Sequence, residues 1–305
     1  MSDMSDMSGE LRRDRGAATT RPIEHQVILI TGATDGLGRA VARDLADQGA
    51  TLLLHGRSDE RCRRTIAAIE AESGNAKLTY YRADFESLSE VRDLAARVAA
   101  EHERLDVLVN NAALGIDPAR RVTVDGHEAT FQVDYLAPYM LSYLLEPVLI
   151  ASAPSRIVNI ASAGQAPITF EDIMLERSYD GMQAYCQAKL ADVMLTIDHA
   201  AELSGTGVTV NCLHPALNMP TKIVTHMFTP QSTIADGVRA TVRLITDPAL
   251  ERVSGRYFDR TQEARARPEA YDERARARLR AIAERLTGVS AGARGPHLTE
   301  PATAQ

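Results

Sequence analysis

The chain has 305 residues, 45% hydrophobic and 25% charged, proportions that suit a folded globular protein and exclude a largely disordered one. A formal net charge of −7 leaves no basic footprint for nucleic acid, and the acidity reads as solubility. Cys62, Cys186 and Cys212 stand far apart with no metal-ligand spacing, so no metal is expected, and their sparse, odd number fits a reducing cytoplasm.

Residues 1–22 repeat Ser-Asp-Met and mix charges without an apolar core, which reads as a disordered tail and not as a signal peptide. Nowhere does an apolar run approach the roughly 18 residues that would span a bilayer. From Gln26 onward, short β-branched runs alternate with helix-length segments. Strands are expected at 27–31, 51–55, 77–81, 105–110, 156–161, 207–213 and 255–258, most of them nearly continuous apolar runs of the kind buried on both faces. Helices are expected over 38–48, 89–102 and 182–203; in the second, Val91, Leu94, Ala95 and Val98 recur at helical spacing and should face the sheet.

Strand alternating with helix implies right-handed crossovers. The expected fold is therefore a single α/β domain of Rossmann type over 23–260, a doubly wound seven-stranded parallel sheet with helices on both faces. Past Asp259 the composition shifts to Arg, Ala and Glu, predicting a helical extension over 261–286 whose arginines, alternating with acids, form a solvated face. Residues 287–305, rich in Gly, Pro, Ser and Thr, read as a second disordered tail.

The first strand runs into Thr31-Gly32-Ala33-Thr34-Asp35-Gly36-Leu37-Gly38 and then a helix. Glycines 32, 36 and 38 let the backbone turn tightly and approach a pyrophosphate, while the helix start offers free N–H groups and a positive dipole end. A glycine triplet alone is a weak signal; its place between strand and helix is the context a dinucleotide site demands. The second strand ends in His55-Gly56-Arg57-Ser58, with no carboxylate there to take the ribose 2′-OH of NAD(H). Arg57, with Arg39 assisting, is placed to meet the 2′-phosphate of NADP(H), which is favoured over NAD(H) although Asp35 and Asp59 put negative charge nearby.

Tyr185 and Lys189 fall within a helical stretch, one turn apart on the same face. A phenol of ordinary pKa near 10 is only about a thousandth ionised at pH 7. A fixed ammonium close by, together with an oxidised nicotinamide, is expected to bring it toward neutrality, where it serves as general acid or base.

Together these residues resemble the short-chain dehydrogenase/reductase family over roughly residues 25–260. Thr31 to Gly38 matches its TGxxxGxG, Asn110-Asn111-Ala112-Ala113 its NNAG-like motif, Ser162 its catalytic serine, and Tyr185 with Lys189 its YxxxK. Asp84, followed by Phe85, matches the aspartate that members place beside the adenine. Asp125-Gly126-His127-Glu128 and Ala184 to Leu195 look closest to the retinol-dehydrogenase-like branch and its bacterial relatives. The resemblance implies that Ser162 binds the substrate oxygen, that Tyr185 passes it a proton, and that Lys189 lowers the phenol pKa and holds the nicotinamide ribose. Asn111, Ala112 and Ala113 would line the cofactor, although asparagine amides often simply tie strands together. The resemblance also implies a homodimer or homotetramer.

Two departures stand out. Asp134 replaces the asparagine of the family's Asn-Ser-Tyr-Lys tetrad, losing an amide donor and putting the helix kink in question. His214-Pro215-Ala216 stands where Pro-Gly is usual, with Pro215 and Leu217 as backbone neighbours of the nicotinamide and Thr221 one residue later than expected.

Two loops, 163–184 and 217–233, leave the regular alternation at the carboxyl ends of strands, where ligands sit in such folds. Their Ile168, Phe170, Met174, Met182, Met219, Met227 and Phe228 suit a lipophilic alcohol or carbonyl substrate, with Gln165, Asn218 and His226 as polar candidates. The expected function is hydride transfer between a nicotinamide and that substrate. A catalytically impaired nucleotide sensor or scaffold is the alternative that Asp134 keeps open, and an epimerase or dehydratase is disfavoured by the short stretch after Leu213.

Overall fold

The computed structural model describes residues 20–222 and 228–290. The strands are β1 (Val27–Ile30), β2 (Thr51–Gly56), β3 (Leu78–Arg82), β4 (Val107–Asn110), β5 (Ser155–Ile160), β6 (Val208–His214), β7 (Tyr257–Asp259) and β8 (Gln262–Ala264). They form one sheet in the order β3-β2-β1-β4-β5-β6-β7-β8. The first seven run parallel, and β8 pairs antiparallel with β7. The expected seven-stranded sheet is thus corrected to eight strands. β8 is two exposed polar residues and a partly buried alanine, closed onto β7 by Arg260 at φ 57°, and it carries no apolar alternation to announce it.

Helices α1 (Gly36–Asp47), α2 (Asp59–Ser73) and α8 (Ile234–Thr246) cover one face; α3 (Leu88–Glu101), α4 (Ala129–Phe131), α5 (Ala137–Leu144) and α7 (Gly181–Glu202) cover the other, with α6 (Glu146–Ala151) between α5 and β5. Val91, Leu94, Ala95 and Val98 are all buried against the sheet, as their spacing predicts. Side-chain caps start the helices that carry the site: Asp35 accepts from the Gly36 N–H, and Asp180 from the Gln183 N–H at 2.7 Å. The winding reverses between β1 and β4, so the carboxyl ends of β1, β4, β5 and β6 open into one crevice.

The C-terminal helix α9 (Glu273–Thr287) belongs to this same domain. Leu279, Ile282 and Ala283 are buried, and the arginines pair with other elements: Arg276 with Asp198 at 2.6 Å, Arg280 with Glu202 at 2.9 Å and Arg278 with Glu171 at 3.2 Å. The expectation of a solvated arginine face is corrected for the edge that meets α7. Thr287 and Val289 are buried, with Arg92 donating to Thr287 O and Tyr139 to Val289 O, so the packed chain runs past Leu286 to Ser290. At the other end Thr20 and Arg21 are already tied to Glu251 and Ser152; residues 1–19 and 291–305 lie outside the described residues. Among the described residues no helix is long and apolar enough to cross a membrane.

Candidate active site

The glycine loop at the end of β1 is built to exclude side chains. Gly32 sits at φ +65°, and a Cβ there would stand 2.8 Å from the Ala112 Cα. At Gly38 a Cβ would come within 2.4 Å of Asn111 Nδ2 and 2.5 Å of Gly32 O. Asn111 fixes this approach: its amide donates to Thr31 O at 2.8 Å and Gly32 O at 3.2 Å, so tying strands together is its visible work. His55 holds the loop from the other side. Its Nδ1 accepts from the Gly32 N–H at 3.2 Å, its Nε2 meets Ala83 O at 3.0 Å, and its ring stacks on Phe85 at 4.2 Å. Burial pushes the His55 pKa down to about 4, so the ring is neutral, with Nε2–H donating and Nδ1 free to accept.

The loop opens on a cavity of about 500 Å³. Gly32, Thr34, Asp35, Gly36, Leu37, Gly38, Arg57, Asp84, Phe85, Asn111, Ala112, Ala113, Pro215, Leu217 and Thr221 all line it, with Ser162, Tyr185 and Lys189. Ser58 does not; its hydroxyl caps α2 by accepting the Arg61 N–H at 3.4 Å. Arg57 lies 4.0 Å from Glu86, and Arg61 and Lys222 both pair with Asp35 on the same wall. The last two are cations that no motif flags. Arg39 reaches Glu72 instead and does not line the cavity.

At the other end, α7 brings Lys189 Nζ to 5.9 Å from the centre of the Tyr185 ring. Ser162 follows β5, accepts the Gly164 N–H at 3.0 Å and shares a hydrogen bond with the Tyr185 phenol. The three side chains therefore converge on one wall. Burial raises the phenol above its ordinary value and outweighs Lys189 and Ser162, which pull it down. The expectation of a phenol brought toward neutrality counts on an oxidised nicotinamide as well as on Lys189, and the ammonium, paired with Asp134 and Asp192, does not act on the phenol alone.

Asp134 lies in a π-helical turn, Gln132–Leu136, between α4 and α5, so the kink survives the change from asparagine. Its Oδ1 accepts the Leu114 N–H at 2.6 Å and its Oδ2 is 3.3 Å from Lys189 Nζ; it stands behind the cavity wall and does not line it. Lys189 also donates to Ile160 O at 3.2 Å and to Asp192 at 3.1 Å.

The apolar loop residues divide. Met182, Met219 and Phe228 line the cavity, whereas Ile168, Phe170 and Met174 pack into the core; Met227 and His226 lie outside the described residues. Asn218 lines the cavity, but Gln165 is spent on Ser162 O at 2.7 Å and the Arg267 N–H at 3.1 Å. His214 went unassigned in the sequence. It lines the cavity at 7% exposure, and neither ring nitrogen has a partner among the described residues.

A family model described as short chain dehydrogenase matches residues 26–231. Retinol dehydrogenase 13 of Mus musculus is 36% identical over 287 residues, covering 88% of this chain and 85% of that protein. Retinol dehydrogenase 14 of the same species is 34% identical, over 91% of this chain and 90% of that protein. Among solved structures, a Mycobacterium paratuberculosis protein superposes with a TM-score of 0.73 at 26% identity, covering 88% of this chain and 95% of that one. A short chain dehydrogenase of Shigella flexneri 2a, solved with NADP, does so with a TM-score of 0.64 at 26% identity, covering 79% and 99%. The chain belongs to the short-chain dehydrogenase family, in its retinol-dehydrogenase-like branch.

Proposed function

We propose that the protein is an oxidoreductase that uses NADP(H) in preference to NAD(H) and reduces a lipophilic ketone or aldehyde to its alcohol. The observation that carries this reading is the convergence of Ser162, Tyr185 and Lys189 on a cavity that the glycine loop Gly32 to Gly38 also lines. The residues present fit a dinucleotide: Gly32 and Gly38 let the turn pack against Ala112 and Asn111 with no Cβ in the way, and the first residues of α1, Gly36 to Gly38, line the same cavity. Gly32 to Gly38 would hold the pyrophosphate, Asp84 and Phe85 the adenine, and Lys189 the nicotinamide ribose. The bound nicotinamide supplies or takes the hydride.

The chain's own residues do the rest. The Ser162 hydroxyl donates to the substrate carbonyl oxygen and holds it beside the phenol. Tyr185 donates its proton to that oxygen as the alcohol forms. Burial acts to keep the phenol protonated, the form that carbonyl reduction requires. Reduction needs the protonated phenol, so its rate should hold through neutrality and fall only as pH rises past the raised pKa. Alcohol oxidation needs the phenolate and should climb across that same alkaline range. Steady-state rates in both directions across pH check this; a reduction rate that falls on the acid side of neutrality would contradict it.

Cofactor preference rests on Arg57, with Arg61 and Lys222 beside it on the wall. Arg57→Asp is expected to raise the Kd for NADPH at least about tenfold, equivalent to about 1.4 kcal/mol, while NADH binding holds. Fluorescence titration measures both, and an unchanged NADPH Kd would take Arg57 out of the phosphate site. Met182, Leu217 and Phe228 form an exposed apolar rim, which supports the lipophilic substrate class. Burying a phenylalanine-sized surface is worth roughly 1.5–3 kcal/mol, so Phe228→Ser should raise KM for a long-chain aldehyde about tenfold. KM for a short-chain aldehyde should stay close to its starting value. Cytoplasmic location and homodimeric or homotetrameric assembly are part of the same proposal, supported by the buried free thiols and by the family resemblance.

A further inference from the structure

Lys189 is surrounded by more negative charge than proton transfer requires. Its ammonium is buried, 3.3 Å from Asp134 Oδ2 and 3.1 Å from Asp192 Oδ2. Both carboxylates are buried as well, and Asp192 Oδ1 has no partner among the described residues. One ammonium between two ionised carboxylates leaves a net negative charge away from water, an arrangement that a single bound proton neutralises. Asp134 arrives on the π turn and Asp192 on α7, one turn beyond Lys189, so the clamp closes from two elements.

We propose that Asp192 is a positioning residue that acts through Lys189: with Asp134 it clamps the ammonium, draws its field away from the Tyr185 phenol, and holds one proton shared between the two carboxyls at neutral pH. The inference rests on the oxidoreductase reading and deepens it, because a weakened lysine field keeps the phenol a proton donor and biases the site toward reduction. Burial raises both carboxyls above the usual carboxylate range, Asp192 the further, in keeping with a retained proton. The other titratable groups facing the cluster do not hold that proton in exchange. Tyr185 on α7 and Tyr135 on the π turn are raised above ordinary phenols by burial, and the Cys212 thiol on β6 is pushed up to about 12, so all three are already protonated. Glu128, at the start of α4, spends its carboxylate on the Thr130 and Phe131 N–H groups at 2.9 and 2.7 Å.

Two measurements test this. Infrared difference spectra at pH 7, wild type against Asp192→Asn, should show a protonated-carboxyl C=O band in the wild type that the variant lacks. In alcohol oxidation, Asp192→Asn should move the alkaline rise to lower pH by about one unit or more: in that range the retained proton has left the wild-type pair, so the variant carries one anion fewer beside Lys189 and a stronger lysine field reaches the phenol. The NADPH Kd should stay within about twofold, a change of about 0.4 kcal/mol or less. Asp134→Asn should shift the profile in the same direction, which keeps the test alive if the first variant does not fold. A missing band in the wild type, or a profile unmoved in the folded variants, overturns the proposal. The infrared arm needs no turnover, so an inert protein would count against the oxidoreductase reading while the band still decides the fate of Asp192.

Discussion

Tyr185→Phe is expected to lower kcat for carbonyl reduction by about 10²–10⁴-fold, the usual contribution of a positioned general acid. The change removes one oxygen. The ring keeps its place beside Lys189, and Ser162 still has the Gly164 N–H, so neither the fold nor the cavity wall has reason to move. NADPH binding should therefore be preserved, and the loss should appear in kcat more than in KM, since the phenol proton matters in the transition state. Equal turnover by mutant and wild type would remove the phenol from the mechanism.

Gly38→Ala carries the second large effect, on cofactor binding. The new Cβ would lie 2.4 Å from Asn111 Nδ2 and 2.5 Å from Gly32 O, and neither atom is free to retreat. Asn111 Nδ2 is bound to Thr31 O and Gly32 O, and Gly32 is itself held by His55. Relief has to come from moving the glycine loop away from β4, which distorts the surface that meets the pyrophosphate. The NADPH Kd should rise at least about tenfold, or about 1.4 kcal/mol. Overpacking of this kind destabilises by about 1–3 kcal/mol. At an unhindered helical position the same substitution would stabilise by about 0.8–1.0 kcal/mol. The direction of the Tm shift therefore decides whether the contact is as tight as the structure has it.

Much of the fold was readable because its signals are local. Parallel strands buried on both faces, such as 27–30 and 107–110, are apolar runs, and Val91 to Val98 keeps strict helical spacing. The glycine loop and the Tyr185–Lys189 pair were readable for the same reason, since each lies within one short segment. What escaped depends on partners distant in sequence. β8 is polar and exists through its pairing with β7. The arginines of α9 look solvated until Asp198 and Glu202 of α7 are set against them.

The site divides along the same line. Asp134 was visible as a departure from a motif, but its effect on Lys189 could not be weighed without Asp192, which reads as an ordinary polar position in a helix. His55 stands at a strand end, and its role as an anchor of the glycine loop rests on Gly32 and Ala83, 23 and 28 residues away in sequence. The spacing of Lys189 from Tyr185 is legible in a sequence, whereas the burial that raises the phenol is not.

The most direct test of the account follows the hydride itself. NADPH carrying deuterium at the transferred position of the nicotinamide is mixed with the protein and a panel of lipophilic aldehydes and ketones, and the products are analysed by mass spectrometry. The account expects an alcohol with one deuterium on the carbon that bore the oxygen, formed by the wild type and not by Tyr185→Phe. NADPH that binds tightly yet passes no deuterium to any carbonyl would contradict it and leave a nucleotide-binding protein without this chemistry.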